Sequence, residues 1–370
     1  MRIGIDAHSL GGKQSGNESY YTSLLRSLAR LDCENDYLIY YTIDGAIETL
    51  GLENDRFVAR RLRPASPYLR IPLVLPVELR SEPVDVFHAQ FIVPPFLKCH
   101  TVTTIPDIAY EHYPEFFSPY QVAWSRKLIR WSARKAERII TVSQFSKTDL
   151  TKLYGIDPDK IAVTYEAAGN EFYPRDRGLA REHISRQYGI DRPFVLYVGR
   201  LQARKNLVRL VEAYSQVRCE GAEHQLVLVG KKDWMSQPIL DKVADLGLTR
   251  DVVLTGYIPA EDVPWFYSAA DVFAYPSIFE GFGLPVLEAM ASGTAVITSM
   301  GSSLQEVAGD AALIVDPLDV NSISSALRRA LSDQNFREEM ARAGICRSKA
   351  FDRDRCAMET LAVYRSAANA

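Results

Sequence analysis

Two carboxylates, Glu280 and Glu288, flank the turn Gly281-Phe282-Gly283-Leu284-Pro285-Val286-Leu287. Pro285 suits the first position of a helix and Gly293 suits its end. The run before the turn, Val272-Phe273-Ala274-Tyr275, reads as a buried strand. Such a strand–turn–helix aims main-chain N–H groups, here those of Phe282, Gly283 and Leu284, from a positive helix terminus. That terminus attracts phosphate. Carboxylates beside a phosphate site call for a ligand that also carries hydroxyls. A sugar joined to a nucleotide diphosphate carries both.

A second group supplies countercharge. The apolar run 194–198 ends in Gly199-Arg200, and Lys205 follows. Gly199 permits a close turn, Arg200 can grip a diphosphate through two parallel hydrogen bonds, and Lys205 acts as a point charge. Alone they could be solvated cations at a strand end. Beside residues 280–288 they fit stabilisation of a departing nucleotide.

The two glutamates with G-F-G-L-P-x-L between them resemble the donor-binding signature of family 4 glycosyltransferases, retaining enzymes of the GT-B fold. Gly199-Arg200 with Lys205 is similar to that family's phosphate-binding arrangement. The resemblance implies that Arg200 and Lys205 hold the pyrophosphate, with Gly199, Gly281, Phe282, Gly283 and Leu284 around it. It implies that Glu288 binds the ribose hydroxyls and that Glu280 accepts hydrogen bonds from the transferred sugar. Tyr257 and Ile258, in Gly256-Tyr257-Ile258-Pro259, fall at the base-binding edge. The segment is not a dinucleotide fingerprint, because Val286 stands where the third glycine belongs.

On the acceptor side, Asp6-Ala7-His8 precedes Gly11-Gly12-Lys13-Gln14-Ser15-Gly16-Asn17, which resembles the family's N-terminal loop. Gly12 and Gly16 are implied to approach substrate, although an ordinary βα loop would look alike. Ser143, in a segment similar to the family's T-V-S-x-x-S, is either a helix cap or a substrate contact. One departure stands out: Pro106-Asp107 replaces the His-Asp of many relatives. Proline cannot donate a hydrogen bond. His88, read as ending a neighbouring strand, is the candidate replacement, and Asp107 keeps the matching position to contact the acceptor or orient its loop. The mechanism implied needs no protein nucleophile. The acceptor hydroxyl attacks on the face from which the nucleotide leaves, and the departing phosphate takes its proton.

No metal or other cofactor is expected; the nucleotide sugar is a co-substrate. Asp157-Pro158-Asp159 and Asp352-Arg353-Asp354 imitate the D-x-D of metal-using transferases, but their contexts, a polar turn and a helix start, suit capping. Five scattered cysteines without a C-x-x-C pair indicate neither a zinc site nor a disulfide framework.

Two domains must position these residues, since 370 residues exceed one ordinary core. Short apolar runs predict strands at 2–6, 37–42, 57–62, 85–88, 101–105, 139–142 and 161–165, then at 194–198, 225–229, 252–254, 271–274, 295–298 and 312–315. Two successive sets of this kind predict two doubly wound α/β, Rossmann-like domains, which the resemblance places on either side of a central cleft. Residues 1–172 are expected to form one domain and 173–352 the other, with a join near 170–190, and the resemblance implies that the first is the acceptor-side and the second the donor domain. A final helix, 353–370, carries Met358, Leu361, Ala362 and Tyr364 as apolar positions and is implied to return to the first domain.

A basic helix at 121–138 admits two readings: contact with an anionic membrane, or a solvated helix whose Trp124, Leu128 and Trp131 stripe is core. The second is favoured here. A net charge of −3 argues against a nucleic-acid partner. With no leader or spanning run, a cytoplasmic protein is expected, with the inner membrane face as its place if lipid-linked saccharides are its acceptors. The expected function is retaining transfer of a hexosyl group from a nucleotide-diphosphate sugar, of the GDP-mannose or UDP-/ADP-glucose type, to a saccharide or lipid-linked acceptor. The alternative is a catalytically impaired sugar-nucleotide binder of the same fold.

Overall fold

Runs rich in valine and isoleucine without polar alternation form strands covered on both faces, and each run predicted above is a strand. A computed structural model describes residues 1–370 apart from Lys13, Gln14, Ser15, Glu53, Asp233 and Trp234, and the side chain of Thr49. Lys13, Gln14 and Ser15 of the expected glycine loop therefore lie outside the described residues. The chain divides into one unit of Met1–Glu166 with Asp352–Ala370 and a second of Ala167–Phe351.

Among the described residues, the first unit holds seven strands: β1 (Arg2–Asp6), β2 (Asp36–Tyr41), β3 (Phe57–Arg61), β4 (Val86–Gln90), β5 (His100–Thr104), β6 (Arg138–Thr141) and β7 (Ile161–Val163). They pair in parallel in the order β3-β2-β1-β4-β5-β6-β7. The second unit holds six: β8 (Phe194–Val198), β9 (Gln225–Val229), β10 (Val252–Gly256), β11 (Val272–Tyr275), β12 (Ala295–Ser299) and β13 (Leu313–Val315). Their order is β10-β9-β8-β11-β12-β13, again all parallel. Chain direction across each sheet therefore reverses beside its first strand. Beyond the carboxyl ends of β1 and β4, and of β8 and β11, lie the crevices where such sheets take ligands. The segment 170–190, where the join is expected, holds a helix of the second unit, Arg177–Tyr188. Asp176 caps that helix by accepting from the Leu179 N–H, so the polar mixture there serves capping.

The last helix, Arg353–Ala368, packs within the first unit against the helix Gly16–Leu31 and against β4, β5 and β6. Its buried face is Ala357, Thr360, Leu361, Tyr364 and Ala367. Met358 and Ala362, expected inside, face solvent, because the i, i+3, i+4 phase of the buried set excludes them. The basic helix spans Pro119–Lys135 and starts in a capping box built by Ser118 and Gln121. It ends at Ala136, and Arg138 belongs to β6. Val122, Ile129, Ser132 and Ala133 form its buried face. The aromatic stripe lies on the other side, with Trp131 40% exposed and Trp124 half-buried, so the expectation of a tryptophan core is overturned.

His88 sits in the middle of β4 and is wholly buried. Its Nδ1 lies 2.7 Å from Tyr364 Oη and its Nε2 2.6 Å from Thr104 Oγ1, which fastens the last helix to the sheet. Burial lowers its pKa from 6.5 to about 3, with only Asp6 pulling the other way. The unfolded chain thus takes up a proton below about pH 6.5 that the folded chain refuses until about pH 3, so folding stability is lost as pH falls through this window. Between pH 6 and pH 4 the unfolding free energy should fall more steeply in the wild type than in His88→Gln, by roughly 1.4 kcal/mol per pH unit. Urea unfolding at several pH values measures the difference, and equal slopes would refute the assignment.

Candidate active site

In the second unit, the loops leaving β8 and β11 carry most of the residues expected to bind the donor. Gly199 follows β8 at φ 148° and Gly230 follows β9 at φ 141°. A Cβ on Gly230 would lie 2.0 Å from the Gly199 carbonyl oxygen, so only glycine lets these strand ends approach. The Tyr197 hydroxyl donates to the Arg200 carbonyl at 2.9 Å, fixing the backbone that presents the half-buried Arg200. A short turn, Ala203–Lys205, then delivers two cations into the second loop.

There they meet Glu280. Lys205 Nζ lies 2.6 Å from Glu280 Oε1, and Arg204 Nη1 lies 2.7 Å from Oε2. Arg204 also donates to the Phe279 carbonyl at 2.7 Å, and Lys205 lies 2.5 Å from the Tyr275 hydroxyl. The carboxylate is only 7% exposed. Burial alone would raise its pKa, but Arg204 and Lys205 overcome that and lower it from 4.5 to about 2. Tyr275, which donates to Glu280 at 3.2 Å, is pushed well above the usual phenol range by burial and by that carboxylate. The cluster is therefore a fixed anion surrounded by donors, unsuited to releasing or taking protons near neutral pH.

The turn beyond Glu280 is anchored by Ser303, whose hydroxyl reaches the carbonyls of Glu280 and Phe282 at 2.8 and 2.9 Å. Gly283 sits at φ 107° as N-cap of the helix Leu284–Ala291, where a Cβ would lie 2.4 Å from Leu304 Cδ2. Pro285 occupies the first turn, and no side chain caps this terminus. Glu288 lies past the first turn, so dipole preference does not explain it. It accepts from the Tyr267 hydroxyl at 3.0 Å. Ile258 is a core side chain, whereas Tyr257 is 51% exposed with Lys231 Nζ 5.2 Å from its ring centroid.

In the first unit the expected residues have more structural duties. Ser143 is the N-cap of the helix Gln144–Tyr154, accepting from the Ser146 N–H at 3.1 Å. Asp107 accepts from the Ala109 N–H at 3.0 Å. Gly16 opens its helix with nothing within 4 Å of a would-be Cβ, and Gly12 lies in the loop before it, where the Gly11 N–H donates to Glu18 at 2.9 Å. His88 is corrected: it is interior to a strand rather than at its end, with both ring nitrogens held by hydroxyls, so it does not stand in for a histidine at position 106. At the carboxyl end of β1, His8 Nδ1 lies 3.0 Å from the buried Asp6, which Arg70 approaches at 3.9 Å.

Sequence reasoning passed over His8, although Asp6-x-His8 at a strand end is visible, and over Arg204, although it adjoins Lys205. Both acidic D-x-D segments cap helical turns: Asp157 accepts from the Asp159 N–H, and Asp352 from those of Asp354 and Arg355. Among the described residues, no cluster of three or more histidine, cysteine or acidic side chains could hold a metal ion. Because Glu280 is more acidic folded than unfolded, its ion pairs stabilise the protein above pH 4.5, and that contribution is lost as pH falls toward 2. Glu280→Gln should cost roughly 3 kcal/mol at pH 7, and the gap to wild type should narrow below pH 4.5. Denaturant melts at both extremes test this; a pH-independent gap would contradict the ion-pair account.

Residues 180–347 match the family described as "Glycosyl transferases group 1", and residues 15–167 match "Glycosyltransferase Family 4". O-antigen chain mannosyltransferase B of Escherichia coli is 33% identical over 290 residues, which cover 78% of this chain and 76% of that protein. Among solved structures, sucrose-phosphate synthase from Thermosynechococcus elongatus superposes with a TM-score of 0.81 at 22% identity, covering 98% of each chain. Anabaena HepE in complex with UDP-glucose gives a TM-score of 0.77 at 21% identity, covering 98% of this chain and 99% of its own. The doubly parallel architecture, the two family matches and the mannosyltransferase relative agree: this chain belongs to glycosyltransferase family 4, group 1, and is a mannosyltransferase-like glycosyltransferase of the GT-B fold.

Proposed function

We propose that the enzyme moves a mannosyl or related hexosyl group, with retention, from a nucleotide-diphosphate sugar to a hydroxyl of a saccharide. Lipid-linked saccharides presented at the cytoplasmic face of a membrane are included among the acceptors. The observation that carries this reading is the buried Glu280 held between Arg204 and Lys205 beyond the ends of β8 and β11, beside an uncapped helix terminus. A permanently ionised carboxylate suits acceptance from sugar hydroxyls, while cations and a helix terminus suit phosphate. The mannosyltransferase relative favours mannose among hexoses.

In this scheme Arg200 and Lys205 bind the diphosphate with the N-terminus of Leu284–Ala291, and Glu288 takes the ribose hydroxyls. Tyr257 and Ile258 border the base. Gly12, Gly16, Asp107 and Ser143 belong to the acceptor side. The leaving phosphate accepts the proton of the attacking hydroxyl, so no protein base is required. Lysine and arginine carry the neutralising charge, and no metal is needed. A non-catalytic sugar-nucleotide binder is the second reading, favoured by Pro106 and by His88 being buried.

Assay with radiolabelled GDP-mannose, UDP-glucose and ADP-glucose separates the two readings. Turnover, including slow donor hydrolysis, is expected, and Lys205→Ala should lower kcat by about 10²–10³. Tight donor binding with no turnover on any acceptor would favour the binder. Chelation with EDTA should leave the rate unchanged; loss of activity restored by magnesium would overturn the metal-free scheme.

A further inference from the structure

The solvent face of the helix Pro119–Lys135 carries a pattern that donor chemistry does not use. At 3.6 residues per turn, Tyr120, Trp124, Lys127, Trp131, Arg134 and Lys135 fall within one face about 100° wide. Tyr120 is 60% and Trp131 40% exposed. The helical stretch that starts at Pro67 and ends at Ser81 meets it at Tyr68. The Tyr68 ring centroid lies 4.9 Å from that of Trp124 and 6.3 Å from that of Tyr120. On that stretch Leu69, Leu73 and Val77 are 46%, 58% and 60% exposed, while Ile71, Leu75 and Leu79 face inward. Arg80 and five cations of Pro119–Lys135 are exposed in these two segments, against one half-buried acid of their own, Glu78; Arg126 among the five pairs with Glu111 at 2.8 Å.

We propose that this face docks the first unit onto an anionic phospholipid bilayer. An exposed patch of this apolar content on a soluble surface marks an interaction site. Tyrosine and tryptophan put an apolar body and a polar tip at headgroup level, and interleaved lysine and arginine attract anionic lipid. A second copy of the chain is a poorer occupant, since a two-fold contact would bring two cationic stripes together. No helix among the described residues is long and apolar enough to cross a membrane, so the contact is with the surface. The inference rests on the proposed lipid-linked acceptor for its purpose, but not for its evidence.

Co-sedimentation with vesicles of phosphatidylglycerol in phosphatidylcholine, against pure phosphatidylcholine, tests it. The protein should partition to the anionic vesicles, less so as salt rises, with blue-shifted tryptophan emission. Lys127→Glu with Arg134→Glu, and separately Leu73→Ser with Trp131→Ser, should each weaken partitioning by about tenfold or more. Both variants should keep the wild-type thermal melt and the wild-type binding of nucleotide sugar, which the second unit's residues carry. Equal partitioning to both vesicle types, wild-type partitioning by either folded variant, or self-association abolished by the same substitutions would each overturn the proposal. Vesicle binding without sugar transfer would sink the functional reading alone; transfer without vesicle binding would sink this one alone.

Discussion

A carboxylate buried to the extent of Glu280 persists only if charge is brought to it, and that requirement organises the second unit. The compensating cations come from the loop after β8, the carboxylate from the loop after β11. Neutralisation therefore joins the two loops that flank the reversal in strand order. Asn206, at φ 63°, extends the tie, its amide reaching the carbonyls of Pro276 and Pro317 at 3.0 and 2.5 Å. The Ile278 N–H closes it by donating to the Arg204 carbonyl at 2.9 Å. Helix start, glycine turn and cation pair are thus placed by one electrostatic constraint.

The sheets were readable because parallel strands need uninterrupted apolar runs, a signal that survives without knowledge of neighbours. Expected strand ends differ from the observed ones by no more than two residues. Helix faces were harder. Trp124 and Trp131 share a helical stripe, but so do Val122 and Ile129, and periodicity does not say which of two stripes meets the sheet. Met358 and Ala362 failed for the same reason. Glu280 and Lys205 were legible as a pair of motifs, yet their direct contact and the share taken by Arg204 depend on loop geometry. His88 looked like a strand end because the run was read as stopping there, two residues before Gln90.

The two units repeat one topology with different electrostatics. Behind β4, the first unit uses neutral partners: His88 bridges Thr104 and Tyr364 without net charge. Beyond β8, the second unit concentrates ions. The first unit's own charged crevice group, Asp6 with His8 and Arg70, lies at the end of β1, the strand that corresponds to β8 in sheet order. Burial would raise the Asp6 pKa, but His8 and Arg70 lower it. Each unit thus holds a buried acid beside basic side chains at its crevice, on β1 in the first and after β11 in the second.

The last helix has a consequence for how the molecule is made. Ala357, Leu361 and Tyr364 are part of the first unit's core, although they follow the whole second unit in the chain. On the ribosome, residues 1–166 can build their sheet early but lack the partner that covers β4 and β5. Residues 167–351 have all emerged before that partner is synthesised. The unit begun first is the unit completed last, so a nascent chain holds an open apolar face throughout the synthesis of its second half, which is the interval in which chaperone capture or aggregation would act.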